Sequence, residues 1–333
     1  MVNHMLVPLD GCRLAECVLP HAVALARALD ARVTVLRALD RGSSGAGSER
    51  ITPLRWRILR SEAETYLRNV ASRLESAGLD TDWALVEGAA AERIVAFADT
   101  DDADLILLSS HGRSGLSGWN VGSVVQKVAL RCYTTTMIVQ AYRTPCRDLT
   151  GLRYEQILIP VDGSRRAECV LPLAMCLAEF YPCRLLLAHV VREPEMPRRV
   201  PLTEEELTLR DQLVKVNRRA GRDYLDRLAS LLPADVETRL VVNDHPVDLL
   251  HELARQETVD LVVLGAHGYS GSVQRPYGHI ALNFIAYGTT PLIVVQDLPR
   301  EDAEMTTAER AAKQAGIVRR SLRRRQPVAS GEG

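Results

Sequence analysis

The sequence predicts an α/β protein built from two tandem copies of one domain, each a five-stranded parallel sheet with helices on both faces. Three observations carry this. Leu6-Val7-Pro8-Leu9-Asp10-Gly11 recurs 152 residues on as Leu158-Ile159-Pro160-Val161-Asp162-Gly163, and at the same offset the segment Arg13 to Pro20 recurs as Arg165 to Pro172. Further along, His111-Gly112, Ser114-Gly115, Gly122 and Ile138-Val139-Gln140 recur 156 residues on as His267-Gly268, Ser270-Gly271, Gly278 and Val294-Val295-Gln296, so the second copy carries a short insertion between these blocks. Within each copy, short apolar runs alternate with helical periodicity, as in a parallel sheet with crossover helices.

Taken in order, the first copy has apolar runs that predict strands near 4–9, 32–38, 82–86, 104–109 and 135–140, with helices near 15–29, 53–77, 90–99 and 122–131. The second copy predicts strands near 156–161, 184–191, 236–242, 260–265 and 291–296, with helices between them. Pro20 and Pro172 fall early in the first helix of each copy, where backbone amides lack intrahelical acceptors; this places the helix starts at about Leu14 and Arg166. Gly42 to Ser48 reads as a flexible loop, and Pro194 to Pro201 as a stiffer segment in the same place of the second copy. The expected organisation is domain one over 1–142, a linker over 143–154, domain two over 155–297 and an Arg-rich polar tail over 298–333.

Composition narrows the class. Hydrophobic residues at 47% and charged residues at 25% suit two packed cores. The formal net charge of −1 supplies no global field for nucleic acid or acidic lipid, so a polyanion contact would have to be local, as at Arg319 to Arg325 in the tail. Seven cysteines form an odd set without C-x-x-C, which argues against a disulfide framework or a zinc site. Cys169 and Cys176 are expected to share one helix face as small apolar residues. No charged leader precedes an apolar stretch, and no apolar run approaches the roughly 18 residues of a membrane span; the expectation is a cytoplasmic protein.

In a doubly wound sheet the ligand lies beyond the carboxyl ends of the strands, where strand order reverses. Chemistry-bearing residues should therefore follow strands one and four. After strand one stand Asp10-Gly11 and Asp162-Gly163, and two readings of the aspartates remain open: contact with a purine or ribose, or a turn and helix cap. After strand four, Ser109 to Ser123 is rich in Gly and Ser and leads into a helix, a loop whose amides can approach anionic oxygens. His111 and His267 occupy equivalent places there, as loop braces or as acid–base groups, with Asp10 and Asp162 as the only candidate carboxylate partners in the fold.

The strand Val-Pro-Leu-Asp-Gly, the Ser-His-Gly-Arg-Ser-Gly segment, the Gly-Ser before a helix and the closing apolar strand together resemble the universal stress protein family, over about residues 4–140 and again 156–296. The resemblance implies Rossmann-like domains of the adenine nucleotide alpha hydrolase-like type. It also implies a signature of Gly-x-x-Gly, nine residues, then Gly-Ser or Gly-Thr in members that bind ATP. The first copy reads Ser109-x-x-Gly112 and Gly122-Ser123; the second reads Gly265-x-x-Gly268 and Gly278-His279. Each copy departs once, and the first, which keeps the hydroxyl at the phosphate end, is the expected ATP site.

Carried over residue by residue, the resemblance implies adenine contacts at Pro8, Leu9, Asp10 and Ala38 and phosphate contacts at Gly112, Gly115, Gly122, Ser123 and Val124, with Ser109 at the first signature position. The counterparts are Pro160, Val161, Asp162 and Val190, then Gly265, Gly268, Gly271, Gly278 and His279. ATP, with Mg²⁺ as its companion ion, is the implied ligand, and nucleotide occupancy in a stress response is the implied signal. A scaffold acting through protein contacts and a slow ATP hydrolase are the alternatives. The chain has no Gly-x-x-x-x-Gly-Lys-Ser/Thr loop and no Gly-x-Gly-x-x-Gly after a first strand, which weighs against an efficient enzyme. The last strand of each copy is expected at a sheet edge, open to pairing. Because related single-unit proteins dimerise there, an intrachain pseudo-dimer is expected, with homodimerisation of the whole chain left open.

Overall fold

The structure, a computed structural model, describes residues 2–41, 52–112, 121–141, 148–194, 202–232, 235–269 and 276–298. The Gly42 to Ser48 loop, most of the Pro194 to Pro201 segment, Cys146 and the Arg319 to Arg325 tail lie outside the described residues.

In the first copy β1 (His4–Pro8), β2 (Arg32–Leu39), β3 (Thr81–Glu87), β4 (Leu105–Ser109) and β5 (Thr135–Val139) alternate with α1 (Leu19–Leu29), α2 (Pro53–Ser76), α3 (Ala90–Thr100) and α4 (Ser123–Ala129). The second copy repeats this with β6 (Gln156–Pro160), α5 (Leu171–Phe180), β7 (Arg184–Val191), α6 (Glu204–Leu231), β8 (Val236–Val242), α7 (Pro246–Gln256), β9 (Leu261–Gly265), α8 (His279–Tyr287) and β10 (Leu292–Val295). All ten strands form one sheet in the order β3-β2-β1-β4-β5-β10-β9-β6-β7-β8. Pairing is parallel within each copy and antiparallel at the seam, where Leu292 faces Ile138 and Val294 faces Thr136.

Strand side chains alternate between two core layers. Met5 and Val7 pack under α1 and α2, while Leu6 packs with residues of α3 and α4 on the other face. Burial on both faces is why these strands read as continuous apolar runs. The seam is also bonded through side chains: Tyr277 donates its hydroxyl to Thr136 Oγ1 (3.0 Å), Gln140 Nε2 donates to the Gly288 carbonyl (2.6 Å), and Tyr181 donates to the Ala24 carbonyl (3.0 Å). No helix among the described residues is long and apolar enough to cross a membrane.

The first helix of each copy corrects the expectation. Ala15–Val18 and Ala167–Val170 wind as separate 3-10 turns, and the α-helices begin at Leu19 and Leu171 rather than at Leu14 and Arg166. Pro20 and Pro172 lack an amide, so regular i→i−4 bonding cannot run through them; the preceding residues close tighter i→i−3 bonds, as from Cys17 N to the Leu14 carbonyl (3.3 Å). The same break places Cys169 in the 3-10 turn and Cys176 in α5, two consecutive helical segments rather than one helix.

Two turns need particular backbones. Gly11 and Gly163 both have φ of +86°, the left-handed region that lets the chain leave strand one without a side-chain clash. After α3 and α7 the equivalent residues Asp102 (φ +48°) and Thr258 (φ +50°) sit in the left-handed region without being glycine. A β-branched residue is strained there, whereas Asp tolerates it. Thr258→Asp, copying the first unit, is expected to raise stability by about 1 kcal/mol, measured as a higher urea midpoint at unchanged slope; no change in midpoint would remove the strain argument.

Candidate functional site

In the first copy, the carboxyl ends of β1 and β4 diverge at the point of order reversal and leave a cavity of about 820 Å³. Pro8, Leu9, Asp10, Ala38, Ser109, Gly112, Gly122, Ser123 and Val124 all line it, so nine sequence-predicted residues from three separate parts of the chain meet there. Gly115 lies outside the described residues. Leu36, Ile94 and Leu108 make the inner walls apolar, and Arg37 and Lys127 add cations.

The site rests on a clamp between the two turns. Asp10 Oδ1 accepts the Cys12 amide (2.9 Å), which closes the turn after β1, and its Oδ2 lies so near Gly112 that a β-carbon there would overlap it. The second copy builds the same clamp. Asp162 Oδ1 accepts the Ser164 amide (3.0 Å), Oδ2 accepts the Tyr269 amide (2.6 Å), and a β-carbon on Gly268 would overlap Oδ2. Both aspartates make the turn-cap contact, and in the second copy the Tyr269 amide bond to Asp162 also links the strand-one turn to the strand-four turn.

At the far end of the loop, Gly122 N donates to the Ser110 carbonyl (2.6 Å) and Gly278 N to the Ala266 carbonyl (2.7 Å). Both glycines are N-caps without a side-chain cap bond, and a β-carbon on either would stand 3.3 Å from that carbonyl. Ser123 and His279 follow as the first helical residues, both exposed.

The departure at Ser109 has a physical account. A β-carbon on Gly265 would lie 3.1 Å from the Arg166 carbonyl and 3.2 Å from the His267 carbonyl. In the first copy the equivalent carbonyls, Leu14 and His111, stand 3.3 and 2.6 Å from Ser109 Oγ, so the hydroxyl bonds where glycine would merely fit. Burial pushes the neighbouring Cys17 thiol up to about 11, which leaves it protonated at neutral pH.

The histidines diverge. His111, buried, pairs Nδ1 with Ser110 Oγ (3.1 Å). His267 pairs Nδ1 with Asp297 Oδ1 (2.7 Å), and Arg166 Nε donates to Asp297 Oδ2; the His267 side chain is 0% and that of Asp297 4% exposed. This corrects the expectation that Asp10 and Asp162 were the only candidate carboxylates. Asp297 follows β10, which pairs in parallel with β9, so two strand ends meet that are 30 residues apart in the chain.

The remaining second-copy positions, Pro160, Val161, Val190, Gly265 and Gly268, stand in the equivalent places, with Gly271 outside the described residues. Here the Val161 carbonyl is engaged by His189 Nδ1 (2.8 Å), and that ring packs edge-on against Tyr224. The first copy has Arg37 in place of His189, its guanidinium against Gly11 and over the Tyr66 ring.

Sequence reasoning missed one wall of the cavity. Arg55, Trp56 and Leu59 of α2 close its outer side, and Arg41 stacks on the Trp56 ring at 4.7 Å. Their i, i+1, i+4 spacing is a helix face; an aromatic residue on a face otherwise exposed was the available signal.

Comparison with known proteins agrees with this architecture. The profile of the Universal stress protein family matches residues 1–140 and 153–296. Universal stress protein MJ0531 of Methanocaldococcus jannaschii is 28% identical over 141 residues, covering 42% of this chain and 83% of that protein. Universal stress protein Rv1996 of Mycobacterium tuberculosis is 24% identical over 202 residues, 60% of each chain. Among solved structures, a universal stress protein from Archaeoglobus fulgidus superposes with a TM-score of 0.64 at 17% identity, over 89% of this chain and 99% of that one, which speaks to the fold. With a doubled sheet, the same clamp in both halves and the family profile matched twice, the chain belongs to the universal stress protein family and carries that family's domain in tandem.

Proposed function

We propose that the first unit binds an adenine nucleotide, ATP by preference, and that occupancy rather than turnover is its output. The observation that carries this reading is the convergence of Pro8, Leu9, Asp10, Ala38, Ser109, Gly112, Gly122, Ser123 and Val124 on one cavity of about 820 Å³, of the size used by small ligands. Its apolar inner walls suit a purine. The amides around Gly112 and Gly122 and the Lys127 ammonium suit phosphate oxygens. Mg²⁺ would enter on the phosphates, which is its usual mode with nucleotides.

The second unit is proposed as the weaker site. His189 engages the Val161 carbonyl, a main-chain group that an adenine edge would otherwise use, and His279 replaces the hydroxyl at the phosphate end. Turnover is not part of the proposal. Cytoplasmic residence, homodimerisation and domain limits near 142 and 155 belong to the same reading.

Equilibrium titration with a fluorescent ATP analogue tests it on wild type, Gly122→Val and Gly278→Val. Saturable binding is expected in wild type and in Gly278→Val, with a loss of about 100-fold in Gly122→Val. No saturable binding to wild type overturns the proposal; the reverse pattern between the two variants reassigns the site to the second unit.

A further inference from the structure

The buried row of α2, Ala63, Leu67, Val70 and Leu74, packs into the core beside the sheet. Continued toward the amino end, the same spacing reaches Leu59 and Trp56, which are half-buried and line the first-unit cavity instead. The cavity therefore takes walls from both faces of the sheet. Leu36, Ala38 and Ile94 pack with the layer of α3 and α4, whereas the row of α2 belongs to the opposite layer. A half-exposed tryptophan at such a place keeps a large apolar ring at the edge of a cavity that a flat aromatic ligand can fill.

Trp56 is also held in position. Arg41, just beyond β2, stands over the ring at 4.7 Å from its centre. Its Nη2 pairs with Glu87 Oε2 (3.4 Å) at the end of β3, and Glu87 Oε1 pairs with Arg60 Nη1 (3.7 Å), one turn along α2 from Trp56. Exposed ion pairs of this kind add little stability. Their effect is positional: a circuit from α2 through β3 and the end of β2 sets a guanidinium on the indole, and the remainder of the ring borders the cavity. The second unit has no such ring. Setting Ala63, Leu67 and Val70 of α2 against Gly221, Leu225 and Leu228 of α6 places Val214 where Trp56 stands.

We infer, on the nucleotide reading of this cavity, that Trp56 is the residue that stacks on the base and selects a purine for the first unit. The strand-end residues Pro8, Leu9, Asp10 and Ala38 offer the base main-chain groups and small or aliphatic side chains, but no aromatic face. The indole supplies one. Stacking of this kind is worth about tenfold in affinity, and a purine, with its larger π-face, gains more from it than a pyrimidine.

Displacement of a fluorescent ATP analogue by ATP and by CTP tests this on the full chain as wild type, Trp56→Phe and Trp56→Leu, with a separate titration of tryptophan emission by unlabelled ATP. ATP is expected to quench the emission of wild type and to leave that of Trp56→Phe unchanged, while Trp56→Phe, which keeps a stacking ring, binds ATP within about threefold of wild type. Trp56→Leu should bind ATP about tenfold more weakly and lower the preference for ATP over CTP by about fivefold. An unchanged ATP affinity in Trp56→Leu, a quench that persists in Trp56→Phe, or equal losses for ATP and CTP would each overturn the inference while leaving nucleotide binding in place. No saturable binding of the analogue to wild type removes the nucleotide reading itself, and the stacking role with it.

Discussion

Alanine at Asp297 is expected to lower the stability of the second unit by about 3 kcal/mol, because removing one partner from a buried ionic set leaves the others desolvated. The Asp297 carboxylate joins the fully buried ring of His267 to the Arg166 guanidinium at the base of the glycine loop. The first unit solves the same place differently, with Leu14, Ala141 and Ser110 where the second has Arg166, Asp297 and Ala266, and with Ser110 Oγ bonded to His111 and to the Ala141 amide (3.0 Å). Transplanting that solution as Arg166→Leu/Ala266→Ser/Asp297→Ala should recover more than half of the loss. Urea unfolding followed by tyrosine and tryptophan fluorescence reads both effects. A single variant within about 0.5 kcal/mol of wild type would show that the ionic set contributes no more than an ordinary surface group.

The second large effect concerns affinity. Gly112→Ala should cost about 100-fold in binding of a fluorescent ATP analogue, equivalent to roughly 2.7 kcal/mol. The added β-carbon collides with Asp10 Oδ2, and since Asp10 Oδ1 holds the Cys12 amide, the carboxylate cannot swing away without opening the turn that borders the cavity. Gly268→Ala makes the same collision with Asp162 but leaves the first-unit cavity untouched, so its affinity should match wild type. Equal losses in the two variants would mean that the clamp acts through global stability rather than through the site.

What the sequence disclosed and what it hid follow from the range of the interactions. Strand and helix positions were legible because parallel strands buried on both faces give unbroken apolar runs, and helices such as α2 bury a regular row, Ala63, Leu67, Val70 and Leu74. The start of α1 was misjudged because Pro20 permits two local solutions, and choosing the 3-10 turn depends on packing against β4 as well as on proline itself. The cavity floor was legible through repeated glycines and aspartates. Its outer wall was not, since Trp56 and Leu59 on α2 look like surface positions until the helix is laid beside β2. Nor was the Asp297 contact with His267, which only strand neighbourhood creates.

The antiparallel join between β5 and β10 sets one more property of the molecule. Every strand of the first unit runs one way and every strand of the second runs the other, so the carboxyl ends of β1 and β4 and those of β6 and β9 lie on opposite rims of a single slab. A bound molecule on one rim is out of reach of the other, and a rigid partner can read one rim without covering both. Fusion also frees the halves from mirroring each other: the Tyr277 hydroxyl crosses the join to Thr136, while its counterpart Val121 has no hydroxyl to send back. The protein is thus a two-ended object with distinguishable poles, a polarity that a symmetric pair of single-unit chains cannot have.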